Sequence, residues 1–521
     1  MQLYRVLKWI RVGIALIFFL LIAFLMLDFT GLFPEKAYNA ITYLQFAPSI
    51  LEFTQLIAWS AAGFVFIIVL TLLFGRLYCS TICPLGTLQD FLIRIHKGLS
   101  FAKKFRYTRT YNWLRYSMLA ATVLLFLAGT SILLNLLDPF TSFGKIMVNM
   151  VRPVYVGLNN AGARILNQFD IYTLYHVEYK VFVLPAFLYA LGFLILLLWM
   201  TRIKGRLFCN TLCPVGAALG LISRLSVFKL KIKESSCTSC WRCALDCKAG
   251  CIEADEMSID FSRCIGCLNC TISCPNKGVS FVPVWKKDAV RMKKVAVNPS
   301  KRNFIKFTAL FSLGLHKFLQ AQDKIVPTKE STIPEEKEYT VCPPGGKSIQ
   351  HFNELCTACH LCVSACPSQV LQPSFMQYGI QGMFQPYLEY HKSFCNYECR
   401  ICTDICPSGA LLPLPLEEKK LTQIGQVHFE KDNCIVETEG TDCGACSEHC
   451  PTKAVYMVPY NGLFLPEINQ DICIGCGACE FACPTIPYKA IYVDGNPIHQ
   501  KADEPQKEKI EETTSEEDFP F

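Results

Sequence analysis

Repeated runs of cysteine constrain this chain of 521 residues more than any other feature. Five segments carry the spacing Cys-x2-Cys-x2-Cys-x3-Cys or a close variant, and with a sixth, looser copy they contain 24 of the 30 cysteines. In proteins that hold two 4Fe-4S clusters, three cysteines of one run and the last cysteine of its partner run bind one cluster. The six runs fall into three pairs and therefore predict six 4Fe-4S clusters.

Each predicted cluster takes three thiolates from one run and the fourth from the partner run. The predicted ligand sets are Cys237, Cys240, Cys243 and Cys274 for cluster 1; Cys264, Cys267, Cys270 and Cys247 for cluster 2; Cys356, Cys359, Cys362 and Cys406 for cluster 3; Cys395, Cys399, Cys402 and Cys366 for cluster 4; Cys434, Cys443, Cys446 and Cys483 for cluster 5; and Cys473, Cys476, Cys479 and Cys450 for cluster 6. Two spacings are irregular, since eight residues separate Cys434 from Cys443 and three separate Cys395 from Cys399. The longer gap makes Cys434 the least regular ligand.

Other uses of cysteine fit the pattern less well. A structural zinc site needs four thiolates in two spaced pairs, and a secreted disulfide framework occurs in short chains without this spacing. Five of the six runs end in Cys-Pro, which is typical of bacterial ferredoxin runs. The stretch Cys356-Thr-Ala-Cys359-His360 also matches the attachment pattern of a c-type haem. Because the cluster spacing continues through Cys362 and Cys366 without a break, we predict no haem.

The first 200 residues hold most of the apolar excess of a chain that is 52% hydrophobic. Four runs approach the roughly 20 apolar residues that cross a bilayer as a helix, and they cover 9–27, 56–74, 114–137 and 181–200. We therefore predict four transmembrane helices. Basic residues precede the first helix, fill the loop between the second and third, and follow the fourth. By the positive-inside rule, the N-terminus and the first cysteine-rich module are cytoplasmic.

Charge divides the chain near residue 320. Residues 1–319 contain 36 Lys and Arg against 14 Asp and Glu, whereas residues 320–521 contain 14 against 29. A basic membrane-proximal half and an acidic cluster-binding half account for this division, so we predict no nucleic-acid partner. The Glu-rich residues 496–521 contain few apolar side chains and predict a disordered tail.

A segment with the outline of an export signal lies just before this division. The basic residues 300–306 precede a short apolar stretch at 307–315. The pair Lys301-Arg302 occupies the place of the two arginines in a twin-arginine signal. If the segment at 304–319 acts as a signal or as a fifth helix, the last two cysteine-rich modules lie outside the cytoplasmic membrane. Otherwise it is an amphipathic linker and all clusters stay inside; we favour export.

The membrane region contains an internal repeat. The sequence Gly-Arg-Leu-Tyr-Cys-Ser-Thr-Ile-Cys-Pro-Leu-Gly at 75–86 is closely matched by Gly-Arg-Leu-Phe-Cys-Asn-Thr-Leu-Cys-Pro-Val-Gly at 205–216. Two-fold pseudosymmetry would bring together the four repeated cysteines, Cys79, Cys83, Cys209 and Cys213. These thiols are candidates for a seventh metal site or for redox exchange, and a packing role is the alternative.

Four charged residues are candidates for contact with a membrane quinol. Asp28 and Asp138 follow the first and third predicted helices, where a carboxylate could accept a proton. Capping of a turn is the simpler interpretation of both aspartates. Arg76 and Arg206 adjoin the repeated cysteines, where they could hold quinone or cluster charge or anchor the helices at the cytoplasmic face.

The paired Gly-Arg-x-x-Cys-x3-Cys-Pro-x-Gly motifs on four predicted helices, followed by two cysteine runs, resemble the NapH family of periplasmic nitrate reductase systems and its relatives NosH and NosR. From the signal-like segment onward, the four runs with their stretched gap after Cys434 resemble polyferredoxins of the NapG and MauM type. Together the resemblances cover nearly the whole chain. They imply a fusion of two proteins that pass electrons from menaquinol to a periplasmic reductase. We expect no flavin, because the flavin domain of NosR has no counterpart here.

The sequence thus predicts a multi-domain chain with a duplicated four-helix transmembrane unit and three α+β bacterial-type two-cluster ferredoxin modules. The predicted boundaries are 1–233 for the membrane domain, 234–285 for the cytoplasmic ferredoxin, 286–340 for the basic linker, 341–415 and 416–495 for the second and third ferredoxin modules, and 496–521 for the tail. The expected function is electron transfer from menaquinol at the bacterial inner membrane. The expected partners are lipid, the quinone pool, and a periplasmic reductase or c-type cytochrome.

Two alternatives remain open at this point. In the first, the chain is a copper reductase or assembly factor resembling CcoG, and the four repeated cysteines act on the metal. In the second, it is an Fe-S subunit of a larger complex on the cytoplasmic side, which requires that the segment at 304–319 does not export the last two cysteine-rich modules.

Overall fold

The computed structural model describes residues 2–28, 33–54, 61–99, 107, 111–179, 182–284 and 333–505. The chain divides into two compact units. The first contains Met1–Thr328, Cys342–Glu389 and Arg400–Leu414, and the second contains Lys329–Val341, Tyr390–Cys399 and Pro415–Phe521. The predicted signal-like segment at 304–319 lies outside the described residues.

The first unit begins with a helical region. Its α-helices are Gln2–Leu27, Glu35–Thr42, Phe46–Thr54, Ala61–Phe74, Tyr78–Thr81, Pro84–Gly98, Asn112–Leu127, Ile132–Leu137, Pro139–Ile146, Arg152–Asn167, Leu184–Lys204, Leu207–Thr211 and Pro214–Ile222, with a π-helical turn at Met147–Val151 and a 3-10 turn at Ser223–Leu225. Within the described residues, Gln2–Leu27 and Leu184–Lys204 are long and apolar enough to cross a membrane. Length and composition alone support these two spans.

The four predicted spans are therefore found only in part. The first and fourth correspond to the two long helices, and the described portion of the second is the shorter helix Ala61–Phe74. The third, at 114–137, is wrong as a single helix because Asn112–Leu127 ends before Gly129. The φ of Gly129 is +79°, a conformation that breaks an α-helix and that glycine adopts at little cost. A separate helix of six residues, Ile132–Leu137, follows this break.

The sequence repeat is also a structural repeat. In each copy a short helix is followed by a second helix that begins at the Cys-Pro pair, as Pro84–Gly98 and Pro214–Ile222. Cys83 and Cys213 are the N-cap residues, with ψ values of 115° and 116°. Proline is favoured at the first position of a helix because it has no N–H to leave unpaired. The sequence therefore starts both helices at the same point of the repeat.

The first cysteine-rich module follows these helices as a small α+β fold. Strand β1, Phe228–Ile232, pairs antiparallel with β4, Val279–Pro283, and β2, Ile252–Glu253, pairs with β3, Ser258–Ile259. The helical segments are Glu234–Ser236, Arg242–Leu245 and Asn269–Ser273. The predicted module at 234–285 thus extends back to β1, which lies within the range predicted for the membrane domain.

The second predicted module, 341–415, is divided between the two units. The first unit contains the helices Ile349–Leu355, Leu361–Ala365 and Ile401–Asp404 and the antiparallel strands β5, Leu371–Pro373, and β6, Pro386–Leu388. A buried core that includes Phe352, Leu355 and Tyr378 also includes Leu51 of the N-terminal helical region. This part of the module is therefore packed against the helices by apolar contacts.

The second unit contains the third module. Strand β7, Thr422–Phe429, pairs antiparallel with β10, Ile491–Lys501, and β8, Val455–Tyr460, pairs with β9, Leu463–Ile468. The helical segments are Leu416–Lys420, Lys431–Asn433, Ile435–Thr438, Ala445–Glu448 and Ala478–Ala482. The predicted start of the tail at 496 is wrong, because backbone pairing to β7 keeps polar residues up to Lys501 in a strand despite their composition.

Candidate iron-sulfur sites

The first site is a cavity in the first cysteine-rich module. Its lining includes all four cysteines predicted for cluster 1, namely Cys237, Cys240, Cys243 and Cys274. The first three come from one loop, and the fourth follows the helix Asn269–Ser273. Four thiols around one space of about 440 Å³, counted with its opening to solvent, are the donor set that a 4Fe-4S cluster requires.

The second site is a space of about 320 Å³ in the same module, counted with its opening to solvent. It is lined by the four cysteines predicted for cluster 2, namely Cys247, Cys264, Cys267 and Cys270, and by one further cysteine. The additional residue is Cys251, which belongs to none of the six runs. Its Sγ lies 3.5 Å from the Sγ of Cys247. Sequence reasoning missed this fifth thiol, although its position four residues after Cys247 is visible in the sequence.

The loops that carry the cysteines share an unusual backbone shape. In four runs the residues immediately before and after the second cysteine both have positive φ, as at Ser239 and Trp241 on either side of Cys240. The corresponding pairs are Gly266 and Leu268, Ala358 and His360, and Gly475 and Gly477. Left-handed residues reverse the chain direction within a few residues, so the cysteines of one loop can turn toward a common centre.

The two runs with irregular spacing depart from this loop shape. The residue after their second cysteine is Arg400 in one run and Gly444 in the other, and the φ values are −131° and −129°. Even so, Cys434 lies in one cavity with Cys443, Cys446 and Cys483, the set predicted for cluster 5. The eight-residue gap therefore does not remove Cys434 from this site.

Two further sets of thiols are close neighbours. In the cluster 3 set, burial raises the pKa of Cys356 and Cys362, and the adjacent thiols of Cys359 and Cys406 add to the effect. In the cluster 6 set, burial raises the pKa of Cys479, and Cys476, Cys473 and Cys450 add to it. Grouped buried thiols favour a bound metal, which takes them as thiolates.

The cysteines predicted for cluster 4 are divided between the two compact units. Cys366 and Cys402 belong to the first unit, and Cys395 and Cys399 belong to the second. The assignment of this cluster stays a prediction.

The four repeated cysteines of the helical region form a separate buried group. Cys79, Cys83, Cys209 and Cys213 are each at most 4% exposed. The sulfurs of Cys83 and Cys213 accept hydrogen bonds from the backbone N–H of Gly86 and Gly216, at 3.4 and 3.2 Å. Cys79 and Cys209 both lie close enough to these two thiols to raise their pKa, an effect that adds to that of burial. The structure thus brings the two copies of the motif together.

Two arginines connect the copies in a crossed arrangement. Arg76 of the first copy donates to the carbonyl of Cys209 at 2.9 Å, and Arg206 of the second copy donates to the carbonyl of Cys79 at 2.6 Å. Both side chains are fully buried. Arg206 also pairs with Asp90, whose carboxylate lies 3.0 Å from its Nε. Asp90 lies outside the repeated motif, so the repeat did not indicate it.

Three of the residues predicted to contact quinol, Arg76, Asp28 and Asp138, have hydrogen-bond partners within the protein. Arg76 donates to Asn210 as well as to Cys209, so protein groups already surround its guanidinium. Asp28 accepts a hydrogen bond from the Tyr38 hydroxyl at 3.0 Å. Asp138 caps the helix Pro139–Ile146 and accepts from the N–H of Thr141 at 2.9 Å.

The side chain of Asp138 is buried at the start of this helix. Its Oδ1 is buried and has no hydrogen-bond partner among the described residues. Burial raises the pKa of Asp138 to about 6, although hydrogen bonds from Thr141 and the nearby charge of Lys145 oppose the increase. A carboxylate with this pKa and a free oxygen is suited to accept a proton near neutral pH.

A polar contact surface joins the helices to the loop of cluster 3. The Ser131 hydroxyl donates to the carbonyls of Asn353 and Cys356, at 2.9 and 3.1 Å. Asn149, in the π-helical turn, lies 3.1 Å from Nδ1 of His360, the residue after Cys359. The other ring nitrogen of His360 donates to the carbonyl of Phe384 at 2.9 Å. His360 therefore positions the loop.

The families that match this chain are iron-sulfur families, in agreement with the grouped thiols. A family described as a 4Fe-4S binding domain matches residues 56–102 and 185–233, which contain the two copies of the repeated motif. Families described as 4Fe-4S dicluster domains match residues 355–411 and 441–487. The chain therefore contains several 4Fe-4S domains.

Individual relatives match parts of the chain. The ferredoxin-type protein NapF of Escherichia coli K12 is 27% identical over 152 residues, which are 29% of this chain and 84% of NapF. The ferredoxin-type protein NapG of Haemophilus influenzae is 26% identical over 222 residues, 38% of this chain and 72% of NapG. The methylamine utilization ferredoxin-type protein MauM of Methylophilus methylotrophus is 32% identical over 153 residues, 27% of this chain and 65% of MauM. No solved structure gives a significant match.

The cysteine-lined cavities and the family matches together define an iron-sulfur electron-transfer protein of the polyferredoxin class. Within that class, the chain is similar to the ferredoxin-type proteins NapF, NapG and MauM.

Proposed function

We propose that this chain is a membrane-anchored protein that transfers electrons from menaquinol to a periplasmic reductase or c-type cytochrome. When bound, six 4Fe-4S clusters would supply carriers that accept and release one electron at a time. The cysteine loops hold these carriers at fixed positions. The proposed plan is a fusion of a NapH-like membrane part with a NapG-like or MauM-like polyferredoxin part.

The contacts of the first helix give the main support for this proposal. Gln2–Leu27 has 26 residues, so it is about 39 Å long and exceeds the roughly 30 Å hydrocarbon core of a bilayer. Near its N-terminal end, the Tyr4 hydroxyl accepts a hydrogen bond from the backbone N–H of Phe281 in the first ferredoxin module. Near its C-terminal end, Met26 lies beside Gly144, which is in close contact with Cys359 of the second module. Ferredoxin modules at opposite ends of one spanning helix support their placement on opposite sides of the membrane.

Surface composition supports the membrane anchor. Large apolar side chains remain exposed along both long helices, including Ile17 and Phe24 on the first and Ile195 and Trp199 on the second. Exposed apolar surface of this extent is costly in water and favourable in lipid. The basic residues around the N-terminus support a cytoplasmic position for that end and for the first ferredoxin module.

A cavity beside the second module supports a binding site for the quinol headgroup. Polar groups of Asn149, Arg152 and Tyr179 and apolar groups that include Leu371 and Pro373 line a space of about 340 Å³, counted with its open mouth. Arg152 is 5% exposed, and its Nε has no hydrogen-bond partner among the described residues. Polar groups form the larger part of this lining, which supports binding of a polar headgroup through hydrogen bonds. Asp138 is the proposed proton acceptor.

The membrane arrangement is testable by protease accessibility. Spheroplasts that contain the full chain are treated with external protease, and residues 340–500 are then detected with an antibody. Digestion of this region in intact spheroplasts is expected. If it is digested only after the membrane is permeabilised, the periplasmic assignment is wrong.

The donor is tested separately with purified, cluster-loaded protein. A soluble menaquinol analogue is expected to bleach the visible absorbance of the clusters, and Arg152→Leu is expected to slow the bleaching without changing iron content. Failure of menaquinol analogues to reduce the loaded protein would remove menaquinol as the donor.

The four buried thiols of the helical region support a seventh metal site. Each pair lies in a segment matched by a 4Fe-4S binding domain, which favours a cluster over the copper chemistry of a CcoG-like reductase. The double variant Cys79→Ala/Cys209→Ala is expected to lose about four irons per chain. Unchanged iron together with a loss of bound copper would favour the copper reductase.

A further inference from the structure

Cys251 is one of two cysteines that belong neither to the six runs nor to the repeated membrane motif; the other is Cys342. It follows Cys247 by four residues. The run that ends at Cys247 is also the one run of the six in which the last cysteine is followed by Lys248 and not by proline. Both departures from the ferredoxin pattern therefore fall at the same cluster site.

The geometry places Cys251 among the ligands of cluster 2. It is 2% exposed and lines the same cavity as the four predicted ligands. Its thiol is 3.5 Å from the sulfur of Cys247, and Cys264 lines the same cavity. No rearrangement of secondary structure is needed to bring Cys251 to the centre of this site.

The site thus contains one thiol more than a 4Fe-4S cluster takes. The other described cavities differ in this respect, since the linings of the cluster 1 and cluster 5 cavities contain four cysteines each. The peptide that joins Cys247 to Cys251 includes Gly250, whose φ of +57° turns the chain so that both sulfurs point into one cavity.

We propose that cluster 2 has two interchangeable fourth ligands, Cys247 and Cys251. When a cluster is bound, either sulfur would serve as its fourth thiolate, and the proton of that thiol would pass to the sulfur of the other cysteine. No electron is gained or lost, and the proton stays within the pair. The inference rests on the proposed assignment of cluster 2 to this cavity, and it makes cluster 2 tolerant of damage to either thiol.

Iron and acid-labile sulfide per chain test this proposal in the full-length, cluster-loaded protein. Cys247→Ala and Cys251→Ala are each expected to keep the wild-type iron content, and the double variant is expected to lose about four irons. The matched control is Cys274→Ala, which removes the corresponding fourth ligand of cluster 1. Because that cavity offers no fifth cysteine, the control is expected to lose about four irons on its own.

Loss of iron in either single variant to the extent seen in Cys274→Ala would overturn the proposal. Electron paramagnetic resonance of the reduced protein adds a second readout, since the cluster kept in Cys247→Ala is expected to show a changed signal while that of Cys251→Ala stays close to wild type. If the Cys247→Ala protein does not accumulate, Cys247→Ser is used in its place, because serine is close to cysteine in size. Iron loss in the serine variant would equally overturn the proposal. These measurements use no quinol and no acceptor, so their failure is distinct from a failure of the proposed electron route.

Discussion

At the scale of single residues, the buried arginines of the repeat are the least expected feature. A guanidinium in the interior is tolerated only when hydrogen bonds and an opposite charge compensate for the loss of water. Arg206 receives both, from the carbonyl of Cys79 and the carboxylate of Asp90. Burial opposes ionisation of Asp90, yet Arg206 and Lys248 hold the pKa of this carboxyl below its usual value.

Asp90→Asn is expected to destabilise the first unit by about 3–5 kcal/mol, because it leaves the Arg206 charge buried and unpaired. The measurement is the unfolding midpoint of the detergent-solubilised protein in denaturant. Lys97→Met is the matched control, since it breaks an ion pair with Asp246 in which both side chains are nearly half exposed. Such surface pairs contribute about 0–1 kcal/mol. Equal effects of the two substitutions would contradict the assigned role of Asp90.

At the scale of structural elements, the short helix Pro139–Ile146 and the turn after it pack against the loop that carries the cluster 3 cysteines. The contact is closest at Gly144, where an added Cβ would lie 2.3 Å from the carbonyl oxygen of Cys359. Only glycine permits this approach of two backbones. The π-helical turn at Met147–Val151 then directs Asn149 toward His360.

Gly144→Ala is expected to weaken the contact between this helix and the cluster 3 loop and to destabilise the first unit by about 1–3 kcal/mol, the usual cost of overpacking. Limited proteolysis measures the effect as faster cleavage within residues 342–389. Gly157→Ala is the control, because an added Cβ at that helical glycine meets no atom within 4 Å. Alanine there is expected to leave the cleavage rate unchanged or to lower it. If Gly144→Ala and Gly157→Ala are cleaved at the same rate, the close contact is not required.

Asp138 lies at the start of the same helix, and we expect it to make the rate of quinol oxidation depend on pH. Burial raises its pKa to about 6, so the carboxylate that accepts a proton becomes more populated as the pH rises through that value. The rate of quinol oxidation is expected to increase between about pH 5 and 7 and to reach a plateau above. Asp138→Asn keeps the helix cap and is expected to abolish this dependence and reduce the plateau at least tenfold. Asp170→Asn, at an exposed aspartate, is the control; a wild-type pH profile in Asp138→Asn would exclude Asp138 as the acceptor.

At the scale of the whole molecule, charge is distributed unevenly along the chain. Residues 320–521 contain 14 Lys and Arg against 29 Asp and Glu, whereas the preceding residues carry a large positive excess. An acidic electron-donating region favours encounter with a basic partner, because opposite charges steer association before contact.

Electron transfer to a basic c-type cytochrome is therefore expected to slow about tenfold or more between low and near-physiological salt. Stopped-flow oxidation of the reduced protein at several ionic strengths measures this effect. Reduction by the uncharged quinol analogue is expected to change little over the same range. A salt-independent rate with the basic cytochrome would show that the acidic half does not guide the partner.

The grouping of the cysteines was the most predictable part of the protein, because cluster binding imposes a local spacing that is visible in the sequence. The cavities at clusters 1, 2 and 5 contain the predicted thiols. The break of the third predicted span at Gly129 was less predictable, since its flanking residues are apolar on both sides. Helix ends inside an apolar run depend on backbone geometry, which hydropathy does not report.

The sequence by itself determined the class of cofactor and the internal repeat, because thiolate spacing and the Cys-Pro helix start act over a few residues. Only the tertiary structure decided which distant groups meet: Cys251 with the cysteines predicted for cluster 2, Arg206 with Asp90, and Gly144 with Cys359. These pairings depend on how helices and loops pack in three dimensions. No local pattern of residues encodes such contacts, because each partner is chosen by the burial and charge that the folded chain places around it.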